Sequence, residues 1–370
     1  MMRVLLISHT YVVALNRGKL AHLAQRVDLV VIAPTRWRDT LRTTRFEAAD
    51  DEGYRLVPTR TLRDGHSMST IYDPWAVWQV TADFRPDIVH VEEEPGSLAL
   101  FQAALLKRRF GYRLLFFTWE NIYRPPRLPL LERFNLAQAD HAIAGTHPAH
   151  EVLRRKGFRR PVAVIPQLGL DPALFRPRPS DALRARLGLT GFVIGYVGRL
   201  VEEKGLRTLV EAARMENDIH LLFLGQGPFR DDLTRMVEAH TLADRTVFAD
   251  PVPHERVPYY VSCMDALVLP SRTTRHWKEQ FGHVLIEAMA CGVPVVGSDS
   301  GAIPEVIGQA GLIFPEGDAE QLRARLVQLM DDAALRARLG RAGRERVLAH
   351  YTDERIAEAT CSLYQEVMTP

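Results

Sequence analysis

The sequence predicts an α/β protein with two doubly wound halves, each built on a parallel sheet. Three observations carry that expectation. Short apolar runs alternate with helix-length amphipathic segments, a stretch dense in Pro and Gly interrupts the alternation near the middle, and the alternation then restarts. In the first half "RVLLIS" (3–8), "VDLVVIAP" (27–34), "PDIVHVE" (86–92), "YRLLFFTW" (112–119), "HAIAGT" (141–146) and "PVAVIP" (161–166) read as buried strands. Segments 95–110 and 130–139 carry apolar residues at helical spacing, and the looser segment 37–62 is expected to insert an extra strand or a loop. The stretch "PQLGLDPALFRPRPSD" (166–181) reads as an interdomain linker. After it "FVIGYVG" (192–198), "IHLLFLG" (219–225), "TVFADPV" (246–252), "ALVLPS" (266–271), "PVVGSDS" (294–300) and "GLIFPE" (311–316) repeat the strand pattern. From about 318 onward the chain is expected to be helical throughout. Two Rossmann-like halves of this kind bind ligands beyond the carboxyl ends of their strands and are expected to share a cleft.

Composition agrees. The chain has 370 residues, 25% of them charged, an ordinary globular balance at two-domain length. It has no apolar run of eighteen residues, so no spanning helix is expected. The opening "MMRVLLISHTYVVALNRGK" is broken by His9 and Thr10 and lacks a small-residue cleavage site, so it reads as a strand rather than a signal peptide. Three cysteines without a CxxC pair point to a reduced, cytoplasmic chain without structural zinc. Charge is unevenly spread. Residues 1–170 hold 24 Lys and Arg against 17 Asp and Glu, whereas the remainder is net acidic. The clusters "KRRF" (107–110) and "RRKGFRR" (154–160) are either a solvated face or a surface that docks on anionic lipid or an anionic acceptor. Neither carries a series of interleaved aromatics, so nucleic acid is not expected as a partner.

Four features of the second half converge on one ligand. "GRLVEEKG" follows a strand directly: Gly198 permits a close turn, and Arg199 and Lys204 bring two cations to the strand exit. "GQGP" (225–228) leaves the next strand with glycines that allow a ligand to approach the backbone. In "EQFGHVLIEAMACG" a helix is expected to begin at Gly282, so that the amides of Gly282, His283 and Val284 face whatever lies before it. Glu279 stands just outside that helix and Glu287 some five residues in, about 7 Å along its axis at ~1.5 Å per residue. A nucleotide sugar with its pyrophosphate on the amides would meet Glu279 through sugar hydroxyls and Glu287 through ribose hydroxyls, the cations offsetting the repulsion. The alternative is that Glu279 favours the helix dipole and Glu287 is solvated. "SDSGAIPEVI" (298–307) supplies Ser298, Ser300 and Gly301 as another amide-rich turn.

On these residues the chain resembles a family 4 retaining glycosyltransferase of the GT-B fold. The family's E-x7-E motif matches Glu279 and Glu287, and its "GR…KG" element matches Gly198, Arg199, Lys204 and Gly205. "VIPQLGLDPALFRP" resembles the family's linker with Gln167 in place of the usual Asn, and "EAMACGVPVVGSDSGAIPEVI" matches closely. The resemblance covers residues 162–350 and is looser before them. It implies an N-terminal acceptor domain (1–168) on which a C-terminal helix (352–370) packs back, and a nucleotide-sugar donor domain (169–351). It further implies transfer of a sugar from a UDP- or GDP-linked donor to a glycan or lipid-linked acceptor, with retention and without a metal or other cofactor. Arg199 and Lys204 would stabilise the departing diphosphate, Glu279 would hold the sugar, and Gly198, Phe281, Gly282, His283, Val284 and Glu287 would complete the donor site.

Two departures bear on the acceptor half. Trp119-Glu120-Asn121 stands where many relatives have a His-acid pair, and "SHTYVVALNRGK" replaces a glycine-pair loop. Candidate acceptor contacts are His9, Glu93 or Glu94, Glu120, and Trp119, which either stacks on a sugar or belongs to the core. The expected setting is cytoplasmic, peripheral to the inner face of a membrane. Two other readings are a GT-B sugar-nucleotide epimerase and a non-catalytic nucleotide-sugar binder. Retention of Arg199, Lys204 and Glu279 counts against the second of these.

Overall fold

The computed structural model describes residues 1–38, 43–48 and 53–369. It divides into two compact units, residues 1–169 with 353–370, and residues 170–352. In the first unit the strands are β1 (Arg3–Ile7), β2 (Asp28–Pro34), β3 (Arg36–Arg38), β4 (Thr43–Arg45), β5 (Arg55–Thr59), β6 (Thr61–Leu62), β7 (Ile71–Tyr72), β8 (Ile88–Val91), β9 (Arg113–Thr118), β10 (His141–Ala144) and β11 (Val162–Val164). Seven of them form one parallel sheet in the order β11-β10-β9-β8-β1-β2-β5, while β3-β4 and β6-β7 are separate antiparallel pairs. Every residue of β8 and β10 is buried. This explains their near-continuous apolar sequences, since a parallel sheet is covered on both faces.

All six strands expected in this half are present. The sheet also gains β5, whose "RLVPT" carries Pro58 and is mostly half-buried or exposed, as befits an edge strand. The expectation for 37–62 is thus met by β5 and part of the β3-β4 pair, while residues 39–42 and 49–52 lie outside the described residues. One face of the sheet packs on the helix Gly18–Ala24 through Leu20 and Leu23, and on the last helix, Asp353–Met368, through Ile356, Ala357, Cys361 and Tyr364. Tyr364 is fully buried, and its hydroxyl lies 2.8 Å from His90 Nδ1 in the middle of β8. Burial drives the His90 pKa down to about 4, so the ring is neutral.

In the second unit β12 (Phe192–Val197), β13 (Ile219–Leu224), β14 (Thr246–Ala249), β15 (Ala266–Leu269), β16 (Val295–Ser298) and β17 (Leu312–Phe314) form a parallel sheet in the order β14-β13-β12-β15-β16-β17. These are the six runs read from the sequence. The helical tail is three helices, Ala319–Asp331, Ala333–His350 and Asp353–Met368. Asp318 and Asp332 cap the first two by accepting from Gln321 N and Leu335 N. The first two belong to the second unit and the third to the first. Among the described residues no helix is long and apolar enough to cross a membrane. The three cysteines are buried and unpaired.

Candidate active site

In the second unit strand order reverses between β12 and β15, and in open α/β sheets the space beyond the strand ends at such a point is where ligands bind. Backbone packing shapes this region. Gly198 (φ 145°) and Gly225 (φ 148°) follow β12 and β13, and a Cβ on Gly225 would lie 2.0 Å from the Gly198 carbonyl oxygen. Leu200 N donates to Gln226 O at 2.9 Å, so the "GR" and "GQG" loops are bound edge to edge. The Tyr196 hydroxyl donates to Arg199 O at 2.8 Å, which fixes the backbone while the Arg199 side chain extends into solvent.

Lys204 is brought in by a short turn, Glu202–Lys204, closed by Gly205 in the left-handed region (φ 68°). A Cβ on Gly205 would meet Pro270 O at 1.9 Å, and Arg272 N donates to Glu203 O at 2.8 Å. The turn therefore lies flat against the segment leaving β15. There Lys204 Nζ sits 2.6 Å from Glu279 Oε2, the Ser271 hydroxyl donates to the same oxygen at 2.7 Å, and the Trp277 ring lies 4.9 Å from the ammonium. Their side chains are only 15% and 8% exposed, so this is a largely desolvated pair. From the sequence, Lys204 is expected on phosphate and Glu279 on sugar as separate groups. In the structure each holds the other.

The helix His283–Ala290 starts at Gly282 in the left-handed conformation (φ 83°) with no side-chain cap. Its first amides have no intrahelical carbonyl to bond, which leaves the positive end of the helix without a capping side chain. Glu279 O accepts from Ala302 N at 3.1 Å, and a Cβ on Gly301 would come within 1.9 Å of it, so the "SDSGA" turn buttresses Glu279. Ser298 donates to Ser271 O at 2.6 Å, and the hydroxyls of Ser300 and Thr273 lie 3.0 Å apart. Burial lowers the His283 pKa to about 4, so this ring adds no cation. Glu287 is half-buried rather than solvated, and burial raises its carboxyl to about 7.

The first unit has its own strand-order reversal, between β1 and β8, where His9 and the run Glu92-Glu93-Glu94 leave the sheet. His9 Nδ1 lies 2.7 Å from Glu93 Oε1, and its ring stacks on Trp37 at 4.2 Å between centroids. Burial of the imidazole lowers its pKa, but the adjacent Glu93 carboxylate outweighs that and raises it overall. The other oxygen of Glu93 is buried without a hydrogen-bond partner among the described residues.

Three acceptor-side candidates are held by partners within the fold. Glu94 is turned to the fold: it accepts from the Thr118 hydroxyl at 2.5 Å and from Trp119 N at 2.9 Å, and burial raises its carboxyl to about 7. Trp119 belongs to the core margin. It packs on Phe117, donates from Nε1 to Gln167 Oε1 at 2.9 Å, and covers Gly145, where a Cβ would fall within 2.2 Å of the ring. Glu120 pairs with Lys156 at 2.7 Å, and Lys156 also holds Glu132 at 3.0 Å.

Sequence reasoning missed the pair beneath this region. Lys19 Nζ lies 2.6 Å from Glu92 Oε1 with both side chains almost fully buried, and Tyr11 and Gln167 donate to Glu92 Oε2 at 2.6 and 3.0 Å. Burial raises the Glu92 pKa, yet Lys19 beside it produces a net lowering, so the carboxylate stays ionised. A lysine within "NRGKL" gave no local signal, because its partner lies 73 residues away. Among the described residues no cluster of His, Cys, Asp and Glu could hold a metal.

Comparison with known proteins agrees with this geometry. The family model described as glycosyl transferases group 1 matches residues 180–346, and that for a glycosyl transferase 4-like domain matches residues 12–167. The 2-deoxystreptamine N-acetyl-D-glucosaminyltransferase of Streptomyces fradiae is 31% identical over 305 residues, 72% of this chain and 71% of the relative. The N-acetyl-alpha-D-glucosaminyl L-malate synthase of Bacillus anthracis is 27% identical, over 76% of this chain and 75% of its own. A GDP-mannose-dependent phosphatidylinositol monomannoside mannosyltransferase of Corynebacterium glutamicum is 32% identical, over 64% and 61%. Among solved structures, sucrose-phosphate synthase of Thermosynechococcus elongatus superposes with TM-score 0.78 at 24% identity over 99% of each chain. Anabaena HepE bound to UDP does so with TM-score 0.77 at 18% identity, over 99% of this chain and all of the other. With both halves matched and the parallel sheets of the GT-B fold in place, the chain belongs to the group 1 glycosyl transferases, family 4.

Proposed function

We propose that the chain is a retaining, metal-independent glycosyltransferase that moves a sugar from a UDP- or GDP-linked donor to a glycan or lipid-linked acceptor. The observation that carries this reading is the Lys204–Glu279 pair at the strand-order reversal, with the Arg199 guanidinium and the amides opening the helix His283–Ala290 at the same strand ends. The second unit provides the donor site and the first the acceptor site. Diphosphate oxygens attract Arg199 and Lys204, and Lys204 exchanges Glu279 for phosphate as the donor binds. Glu279, released but still held by Ser271, accepts hydrogen bonds from the sugar, and Glu287 takes the ribose.

In transfer the bond between the anomeric carbon and the phosphate oxygen breaks, its electron pair leaving with the diphosphate. The acceptor oxygen bonds the same face of the carbon, and its proton passes to the departing phosphate oxygen. The two cations and the helix amides stabilise the growing negative charge. Support for the two donor kinds comes from a relative named as a GDP-mannose-dependent phosphatidylinositol monomannoside mannosyltransferase and from the structural neighbour HepE, solved with UDP-glucose. Thermal shift against a panel of nucleotide sugars, in magnesium and in chelator, tests the donor site. The expected result is stabilisation by one nucleoside diphosphate family that persists in chelator. Dependence on metal refutes that part of the reading, and an inverted anomeric centre in the product, read by NMR, refutes retention.

A further inference from the structure

Two tryptophans are exposed on one helix of the first unit. On the helix Pro74–Phe84, Trp75 is 67% and Trp78 41% exposed, and their rings stack on one another at 5.3 Å. Trp78 also meets the ring of Phe110, at 6.3 Å, on the helix Leu98–Phe110. On that second helix Arg108 and Arg109 are exposed, and the Arg109 guanidinium lies 5.7 Å from the centroid of the Phe110 ring, which joins a cation to the aromatic patch. Two stacked indoles exposed together on a phenylalanine edge form an apolar patch of the kind that marks an interaction site on a soluble surface.

We propose that this face docks on an anionic bilayer surface, with Trp75 and Trp78 entering the headgroup boundary and Arg108 and Arg109 facing acidic lipid. Charge complementarity selects the occupant. Residues 98–113 contain Lys107, Arg108, Arg109 and Arg113 and no acid, and Asp83 is the exposed acid of the first helix. Lys107 is committed to Asp140 at 2.7 Å, which leaves the two exposed arginines as the electrostatic element. Indole rings favour the bilayer interface, where an apolar body and a polar N–H are both satisfied, and arginines beside them add attraction to anionic lipid. The basic cluster at 154–160 is the poorer anchor. Arg154 bonds the carbonyls of Phe158 and Arg160, Lys156 pairs with Glu120 and Glu132, and Arg160 pairs with Asp140.

The inference does not depend on which sugar or acceptor the enzyme uses, and its test reads membrane binding directly. The full chain is mixed with vesicles of phosphatidylcholine alone or with phosphatidylglycerol, and binding is followed by sedimentation. Quenching of tryptophan fluorescence by brominated lipid reports insertion. The expected result is binding to the anionic vesicles, weakened at high salt, with quenching that is lost in W75S/W78S. R108E/R109E lies wholly on the surface and should weaken binding by more than about tenfold. The proposal is overturned if anionic and neutral vesicles bind alike, or if either double variant binds as the parent does. It is also overturned if the parent is a dimer that W75S/W78S converts to monomer, because the patch then belongs to a second copy of the chain.

Discussion

Removing the charge from one member of the Lys204–Glu279 pair should do more damage than removing it from both. In Lys204→Met the Glu279 carboxylate, 8% exposed, keeps the Ser271 hydroxyl but loses its counter-charge. Truncating one partner of a buried pair costs about 3–5 kcal/mol, and the residual exposure of Lys204 places this one near 3 kcal/mol. Glu279→Gln leaves Lys204 without its carboxylate, at a smaller cost because the ammonium can turn toward solvent. In Lys204→Met/Glu279→Gln no buried charge remains and Ser271 can still donate to the amide oxygen, so the total should be about 1 kcal/mol. For a unit of this size 1 kcal/mol corresponds to roughly 2–4 °C in Tm. The lysine variant should therefore melt about 6–12 °C below the parent, and the double variant only a few degrees below it. The assay is a double-mutant cycle on the unfolding transition of residues 170–352, with transfer activity measured alongside. Additive losses, with a coupling energy under about 0.5 kcal/mol, would refute the claim that the two groups hold each other in the free enzyme. All three variants should be poor transferases, so stability recovers in the double variant while activity does not.

Arg199→Ala removes an exposed cation without disturbing the Tyr196 bond to its backbone, so it should lower kcat/KM by about 10²–10³-fold while leaving Tm within a degree or two; near-normal turnover would sink the phosphate role. Gly205→Ala must place a Cβ 1.9 Å from the Pro270 carbonyl at a φ of 68°, and should cost about 2 kcal/mol or more. Because the same turn carries Lys204, donor binding should weaken with it, and unchanged nucleotide affinity would contradict that linkage. Burial holds the Glu94 carboxyl at about 7, partly offset by Thr118 and the Trp119 amide. The folded state thus binds this proton more tightly than the unfolded chain does, and stability should fall as pH rises from the ordinary carboxylate range to about 7, then level off. Glu94→Gln should flatten that part of a denaturation-versus-pH profile, and an unaltered slope would show the group titrates normally.

What the sequence made legible was set by the range of the signal. The central strands announce themselves because a parallel strand covered on both faces is a continuous apolar run, and β12, "FVIGYV", could hardly be read otherwise. The edge strand β5 has no such run, and only its neighbour β2 makes it a strand. On the donor side, glycines and charges at fixed offsets marked Gly198, Lys204, Glu279 and Gly282 as one region. Their spacing could not reveal that Lys204 and Glu279, 75 residues apart, close on each other. The acceptor side was less legible for the same reason. Whether Trp119 is core or platform depends on Gly145 beneath its ring and on Gln167 at its indole nitrogen, neither of which is near it in sequence. Glu94 and Glu120 looked available because sequence shows a carboxylate but not the Thr118 hydroxyl or the Lys156 ammonium that occupies it.

The residues that bound the second unit meet one another. Leu170 and Thr352 form an isolated parallel bridge, and Leu170 N donates to Tyr351 O at 3.1 Å, so the polypeptide enters and leaves this unit side by side. Topologically the unit is a cassette spliced into the loop of another domain. A protease that cuts one of the two crossings leaves the halves tethered by the other, and only a double cut sets them free. The adjoining ends also make residues 170–352 a natural piece to express alone or to permute circularly.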